Sequence, residues 1–273
     1  MAVKATTLLK MVKSSGVDMK YLLYLVLMFQ SNSYWQEHPK IRTVEDDTLG
    51  DILTDIEEHL PADHKSKYVD KVTWAHEATH SINNLLRRSH AYHNAFYVLN
   101  DQFVLIQEPT GVTIANIRNQ IPPLFHDNQY SLYLTGKQVS EWNLSPLYIL
   151  DEWVAYTNAS ECVLELLEKD LWRETDKGQG EAMIMTKFNV YALVMLSNTT
   201  NPEPKLTQFI EWNLRRSLSI WERSEMEPKA RMDETMVFWR NFLTLPQTQT
   251  LRNQIKEKNP HIVTGKQIGR AHV

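Results

Sequence analysis

The sequence predicts a mainly α-helical protein with one small β-hairpin, an α+β chain. Three observations carry this expectation. Apolar residues recur at helical spacing along most of the chain, as in 48–60, where Ile52, Ile56 and Leu60 share a face. Glycine is scarce, with 8 among 273 residues, which argues against Gly-rich barrels and nucleotide-binding loops. The stretch 95–109, AFYVLNDQFVLIQEP, has two β-rich runs on either side of Asn100-Asp101, the pattern of a hairpin turn.

The elements follow in order. Met19-Lys20 precede nine apolar residues, Tyr21 to Phe29, and small polar residues then run to Ser33. That is the order of a secretory signal peptide, so 1–33 is expected to be a leader, with Met19 as an alternative start. A buried N-terminal helix is the other reading. The apolar core is too short for a permanent membrane span. Export or secretion is therefore expected, with a cytoplasmic location left open. The helix at 48–60 stops at Pro61. A second helix is expected over 68–88, with Val72, Ala75, Thr79, Ile82 and Leu86 as its apolar stripe. The hairpin comes next, Pro122-Pro123 marks a loop, and 129–142 reads as one helix. A long helix over 147–170 ends before the KGQG break at 177–180. Helices at 181–197, 204–222, 228–243 and 249–257 complete the chain. The expected organisation is a metal-binding core at 34–175, followed by a helical part at 176–266 of the same domain or a subdomain. Residues 267–273, QIGRAHV, resemble a translated sequencing adapter and are set aside from fold reasoning.

A net charge of −4 gives no electrostatic case for nucleic acid. Arg87-Arg88 and Arg215-Arg216 read as solvated helix faces. The single cysteine, Cys162, excludes an internal disulfide and a Cys-rich zinc knuckle.

The chemistry-bearing stretch is WAHEATHSINN, 74–84. On a helix, His76 and His80 stand one above the other and can present two imidazoles to one metal ion. Glu77 is rotated about a third of a turn away, where it can lean toward a metal-activated water without being a ligand. A catalytic zinc usually takes three protein ligands. The metzincin pattern needs a glycine at position 83 and a histidine at 86, but the chain has Asn83 and Leu86. A carboxylate on a second helix remains. In 147–169, Glu152 shares a face with Tyr148, Ala155, Tyr156, Ala159, Val163 and Leu166, which is apolar. Asp151 shares a separate side with Asn158, Glu161 and Glu165, which reads as wet. A carboxylate on a buried face needs compensation, from zinc or from an arginine. Ala155 and Ala159 would let this helix approach the His-bearing one closely. His93 and His126 are alternative third ligands.

His76, Glu77, His80 and the later Glu152, within DEWVAY, resemble the gluzincin branch of zinc metallopeptidases, the thermolysin-like group. The resemblance covers these two helices only. It implies a zincin-like core with additional C-terminal helices, and a Zn2+ ion held by His76, His80 and Glu152. It also implies Glu77 as general base and a peptide or protein substrate. The chain departs from the family in order, since its hairpin follows the HEATH helix closely. A donor to the tetrahedral oxyanion would come from Tyr148, Tyr156, His90 or His93, with Tyr156 put forward. The run FVLIQE, 103–108, is either an exposed edge strand that receives an extended peptide or a buried hairpin strand. Asn143, Asn158 and Asn198 begin glycosylation-type triplets, with Asn158 on the wet face. The alternatives to a peptidase are a non-catalytic zinc-binding protein and a metal-free helical interaction module.

Overall fold

The structure, a computed structural model, describes residues 49–62, 64, 70–176, 181–227 and 233–260. The expected leader, the adapter-like tail and the KGQG break lie outside them. The described chain runs α1 (Gly50–His59), α2 (Lys71–Ser89), β1 (Asn94–Tyr97), β2 (Phe103–Ile106) and α3 (Ile114–Arg118). It continues through α4 (Lys137–Trp142), α5 (Tyr148–Glu168), α6 (Glu181–Asn198), α7 (Pro204–Met226), α8 (Asp233–Thr244) and α9 (Gln249–Lys258). It is mostly helical, with one two-stranded antiparallel sheet. Among the described residues, no helix is long and apolar enough to cross a membrane.

Helix α2 starts where Asp70 accepts the Val72 N–H at 3.0 Å, a side-chain cap for one of the first-turn amides. Its predicted stripe of Val72, Ala75, Thr79, Ile82 and Leu86 is wholly buried. That face lies against α5, and the small residues Ala75, Ala78, Ala155 and Ala159 line the two helices with no exposed surface. Helices α6 and α7 cover other sides of α5. Each fully buried apolar side chain in such a core contributes about 1.5–3 kcal/mol.

This enclosure corrects the expectation of a wet face on α5. Asp151, Asn158 and Glu165 are buried, and only Glu161 keeps partial exposure. Each polar group is used inside the protein. Glu165 accepts the Asp51 and Ile52 N–H groups at 2.7 and 2.8 Å, capping α1, whose own N-cap residue makes no side-chain cap. Arg216 on α7 bonds both Glu161 and Asn158. Asn158 donates to Thr79 Oγ1 and to the Tyr97 carbonyl, so it is no glycosylation acceptor in the folded chain. Asn198 Nδ2 likewise donates to the Val194 carbonyl, while Asn143 accepts the Ala115 N–H through Oδ1.

In the hairpin, Asn94 pairs with Ile106 and Tyr97 with Phe103. The turn is wider than Asn100-Asp101 alone. Leu99, Asn100 and Asp101 all have left-handed φ, at 71°, 54° and 58°. Asn and Asp tolerate that region and Leu does so at a cost. Contacts from α1 hold the turn: Asp55 accepts the Asn100 N–H at 3.0 Å, and His59 Nε2 meets Asp101 Oδ1 at 2.6 Å. Phe103–Ile106 is buried at every position, so the buried-strand reading of FVLI holds and the exposed-edge reading does not.

The helix expected over 129–142 is broken. A short turn, Asn128–Tyr130, passes into a π-helical turn, Ser131–Thr135, and Gly136 separates this from α4. A Cβ at Gly136 would stand 3.0 Å from the carbonyl oxygens of Ser131 and Leu132, so the crowded break admits only glycine without adjustment.

Candidate metal centre

His76 and His80 project from one side of α2 toward Glu152 on α5. The two Nε2 atoms are 3.1 Å apart. Glu152 Oε2 lies 3.6 Å from His76 Nε2 and 3.5 Å from His80 Nε2. The triad expected from the sequence is therefore brought together, across a gap of 72 residues between His80 and Glu152 in the numbering. Ligands about 2.0–2.1 Å from a tetrahedral zinc stand about 3.3–3.4 Å from one another. The three observed edges bracket that length. Two imidazole nitrogens and a carboxylate oxygen are also a donor set that zinc accepts.

The polar accounting points the same way. Glu152 Oε2 and His76 Nδ1 are buried without a hydrogen-bond partner. His76 is 8% exposed and Glu152 9%. Among the described residues no arginine reaches Glu152, whose ionic neighbours are the two histidines. A buried carboxylate left this way is costly, and a divalent cation would remove the cost.

Asp151, on the face expected to be wet, instead lies beside His80. Its Oδ2 lies 2.9 Å from His80 Nδ1, and its Oδ1 accepts from Asn83 Nδ2 at 2.6 Å. A carboxylate only accepts, so His80 donates through Nδ1 and its neutral tautomer keeps a lone pair on Nε2, facing the other two donors. Burial alone would lower the His80 pKa, but Asp151 and then Glu152 outweigh it and hold the ring well above its ordinary value. Burial, aided by His80, pushes His76 down to about 3.

Glu77 is half-buried and enters no ion pair among the described residues. Tyr156 lies with its ring 4.3 Å from that of His76, centroid to centroid, and its hydroxyl is 2.7 Å from that of Tyr133. Tyr133 belongs to the π-helical turn and had no signal in the periodicity. The Tyr148 hydroxyl donates to Gln138, and its ring stacks on Trp142 and tilts against Tyr133. Glu181, at the start of α6, was also missed. Its Oε2 is buried without a partner, and burial followed by Asp70, Glu152 and Glu77 raises its pKa to about 8.

The histidines considered as alternatives lie elsewhere. His90 ends α2 with Nδ1 on the Leu86 carbonyl, and His93 bonds Ala91 O. Ten residues separate His80 from His90, about 15 Å of helical rise, which places His90 far from the oxyanion position expected of it. His126 binds the Ile121 carbonyl and stacks on Tyr130. A second cluster, Asp55, His59 and Asp101, could also hold an ion by distance. Its groups are already satisfied by the Tyr97 hydroxyl, the Asn100 N–H and one another.

Comparison with protein-family models, with characterised proteins and with solved structures gave no match. The gluzincin resemblance therefore rests on His76, Glu77, His80 and Glu152 alone.

Proposed function

We propose that this chain is a zinc-dependent metallopeptidase of the gluzincin, zincin-like kind, in which His76, His80 and Glu152 hold Zn2+ and Glu77 is the general base. One observation carries the reading. Glu152 Oε2, buried and unpartnered, lies within 3.6 Å of both Nε2 atoms of an H-E-x-x-H helix. The leader-like order of 19–33 supports export. The substrate is a peptide or protein, and the net charge of −4 supports no nucleic-acid role.

Zinc, when bound, supplies Lewis acidity and a water whose pKa falls to about 7. The rest is the work of the chain. Asp151 holds His80 in the tautomer that leaves Nε2 free to ligate. Glu77 takes a proton from water at its carboxylate and returns it to the departing amine. Tyr156, held by Tyr133 beside His76, offers its hydroxyl to the charge that develops on the scissile carbonyl oxygen.

The test is metal content and peptide hydrolysis, with and without chelator. One zinc per chain and chelator-sensitive cleavage are expected. Glu77→Gln should keep the zinc and lower hydrolysis by about 10²–10⁴-fold. Cleavage unchanged in that variant counts against the reading. The burial of His76 and Glu152, with only His80 showing a side chain 22% exposed, favours a second reading: a zinc-binding protein that cleaves nothing. Zinc uptake with no hydrolysis of any peptide in a mixed library would select it.

A further inference from the structure

We propose that Asn83 is a positioning residue that ties the β-hairpin to the metal centre. This rests on the zinc reading of His76, His80 and Glu152. Asn83 is fully buried on α2 and lies three residues beyond His80. Its side chain bridges two partners. Oδ1 accepts the Tyr97 backbone N–H at 2.6 Å, and Nδ2 donates to Asp151 Oδ1 at 2.6 Å. Asp151 Oδ2 in turn receives His80 Nδ1–H at 2.9 Å.

The orientation of the Asn83 amide is not free. A backbone N–H can only donate, so the Asn83 carbonyl must face Tyr97. That turns the amide NH2 toward Asp151, which can only accept. Reversing the amide would set donor against donor and acceptor against acceptor, with the groups buried and unmet. The amide therefore reads the strand on one side and fixes the carboxylate on the other.

Tyr97 is itself held in three ways. Its N–H and C=O both point away from β2, to Asn83 and to Asn158. Its hydroxyl donates to Asp55 Oδ2 on α1 at 2.7 Å. The last residue of β1 is thus a fixed post, and the path Tyr97–Asn83–Asp151–His80 passes its position to a ligand nitrogen. Partners behind a ligand typically change metal affinity 10–100-fold when removed. Coupling of this kind is reciprocal: if the hairpin sets zinc affinity, zinc must steady the hairpin.

The experiment has two arms. Zinc affinity is measured by chelator competition in the wild-type chain and in Asn83→Leu, with circular dichroism to check the fold. The variant is expected to be 10–100-fold weaker, and its cobalt(II)-loaded form should show a shifted visible absorption band, which loss of stability alone would not move. In the wild-type chain, zinc is expected to slow hydrogen exchange at the Tyr97 amide by at least 10-fold, and this arm stands even if Asn83→Leu fails to fold. A folded Asn83→Leu chain with unaltered zinc affinity, or a Tyr97 amide indifferent to zinc, overturns the relay while leaving the metal reading intact. No zinc uptake by the wild-type chain overturns the metal reading and the relay together.

Discussion

Asp151 receives the Nδ1–H of His80 at 2.9 Å, one residue before the carboxylate that faces the same ring's Nε2. Adjacent positions on α5 thus serve opposite sides of one imidazole. The arrangement makes Asp151→Asn informative. Asparagine has one acceptor oxygen where Asp151 uses two, so it can accept from His80 Nδ1 only by turning its amide NH2 toward that of Asn83, and it removes the negative charge that makes His80 a stronger base. Zinc affinity is expected to fall about 10–100-fold with the fold retained. Isothermal titration or chelator competition checks this, and affinity equal to wild type would show that the pair is structural only.

Glu152 should affect stability with opposite sign in the two states of the protein. Without metal its Oε2 is a buried acceptor with no partner, a cost of about 1–3 kcal/mol. Glu152→Gln is therefore expected to raise the melting temperature of the chelator-treated protein, or at least not lower it. With zinc present at 100 times its dissociation constant, the wild-type chain gains about 2.7 kcal/mol. The variant should lose most of that gain. Thermal melts of both proteins with zinc and with chelator give the four values needed. A variant less stable than wild type in chelator would contradict the account.

The grouping of His76, His80 and Glu152 was legible in the sequence because two simple constraints pointed to it. A spacing of four puts His76 and His80 on one side of a helix, and a carboxylate on the apolar face of another helix needs a cation. Asp151 was misassigned because a helical wheel separates polar from apolar residues but does not say where the water is. Helix α5 is enclosed on nearly every side, so Asp151, Asn158 and Glu165 act as internal connectors. Tyr133 could not be found at all. It reaches the site from a π-helical turn before Gly136, and that local geometry leaves no periodic trace at 129–142. The hairpin was placed correctly, but its third left-handed residue, Leu99, was not, since nothing in the side chain favours that conformation.

Glu181 gives the metal-free protein a pH dependence with a defined sign. Its pKa in the folded chain is about 8, against 4.5 for an unperturbed glutamate. Between these values the unfolded chain releases a proton that the folded chain retains. The stability contributed by the protonated group is complete below pH 4.5 and is lost as pH rises through about 8. Glu181→Gln should remove this slope. The variant is expected to match the wild type near pH 4 and to exceed it at pH 8, measured by urea denaturation in chelator. Parallel curves for the two proteins across that range would mean that Glu181 is not held in this environment.

Glu165 supports the fold away from the metal, and its loss should be separable from the chemistry. Its two oxygens accept the Asp51 and Ile52 N–H groups at 2.7 and 2.8 Å, so a residue on α5 closes the first turn of α1. Leu49, which precedes that helix, offers no side-chain oxygen for the purpose. A carboxylate at a helix N-terminus also meets the positive end of the helix dipole. Replacing it with alanine leaves two first-turn amides without an acceptor and Lys169 without one of its two carboxylate partners. The exposed lysine contact adds little. Glu165→Ala is expected to cost about 0.5–2 kcal/mol, the range for a lost N-cap. Glu165→Gln should recover part of it, because one amide oxygen can still accept. Zinc affinity should stay within about twofold of wild type, since Glu165 lies more than three turns of helix from Glu152. A large fall in zinc affinity with Glu165→Ala would mean that α1 and the metal centre are coupled through Asp55, Tyr97 and Asn83, and a chelator titration of the variant reads that directly.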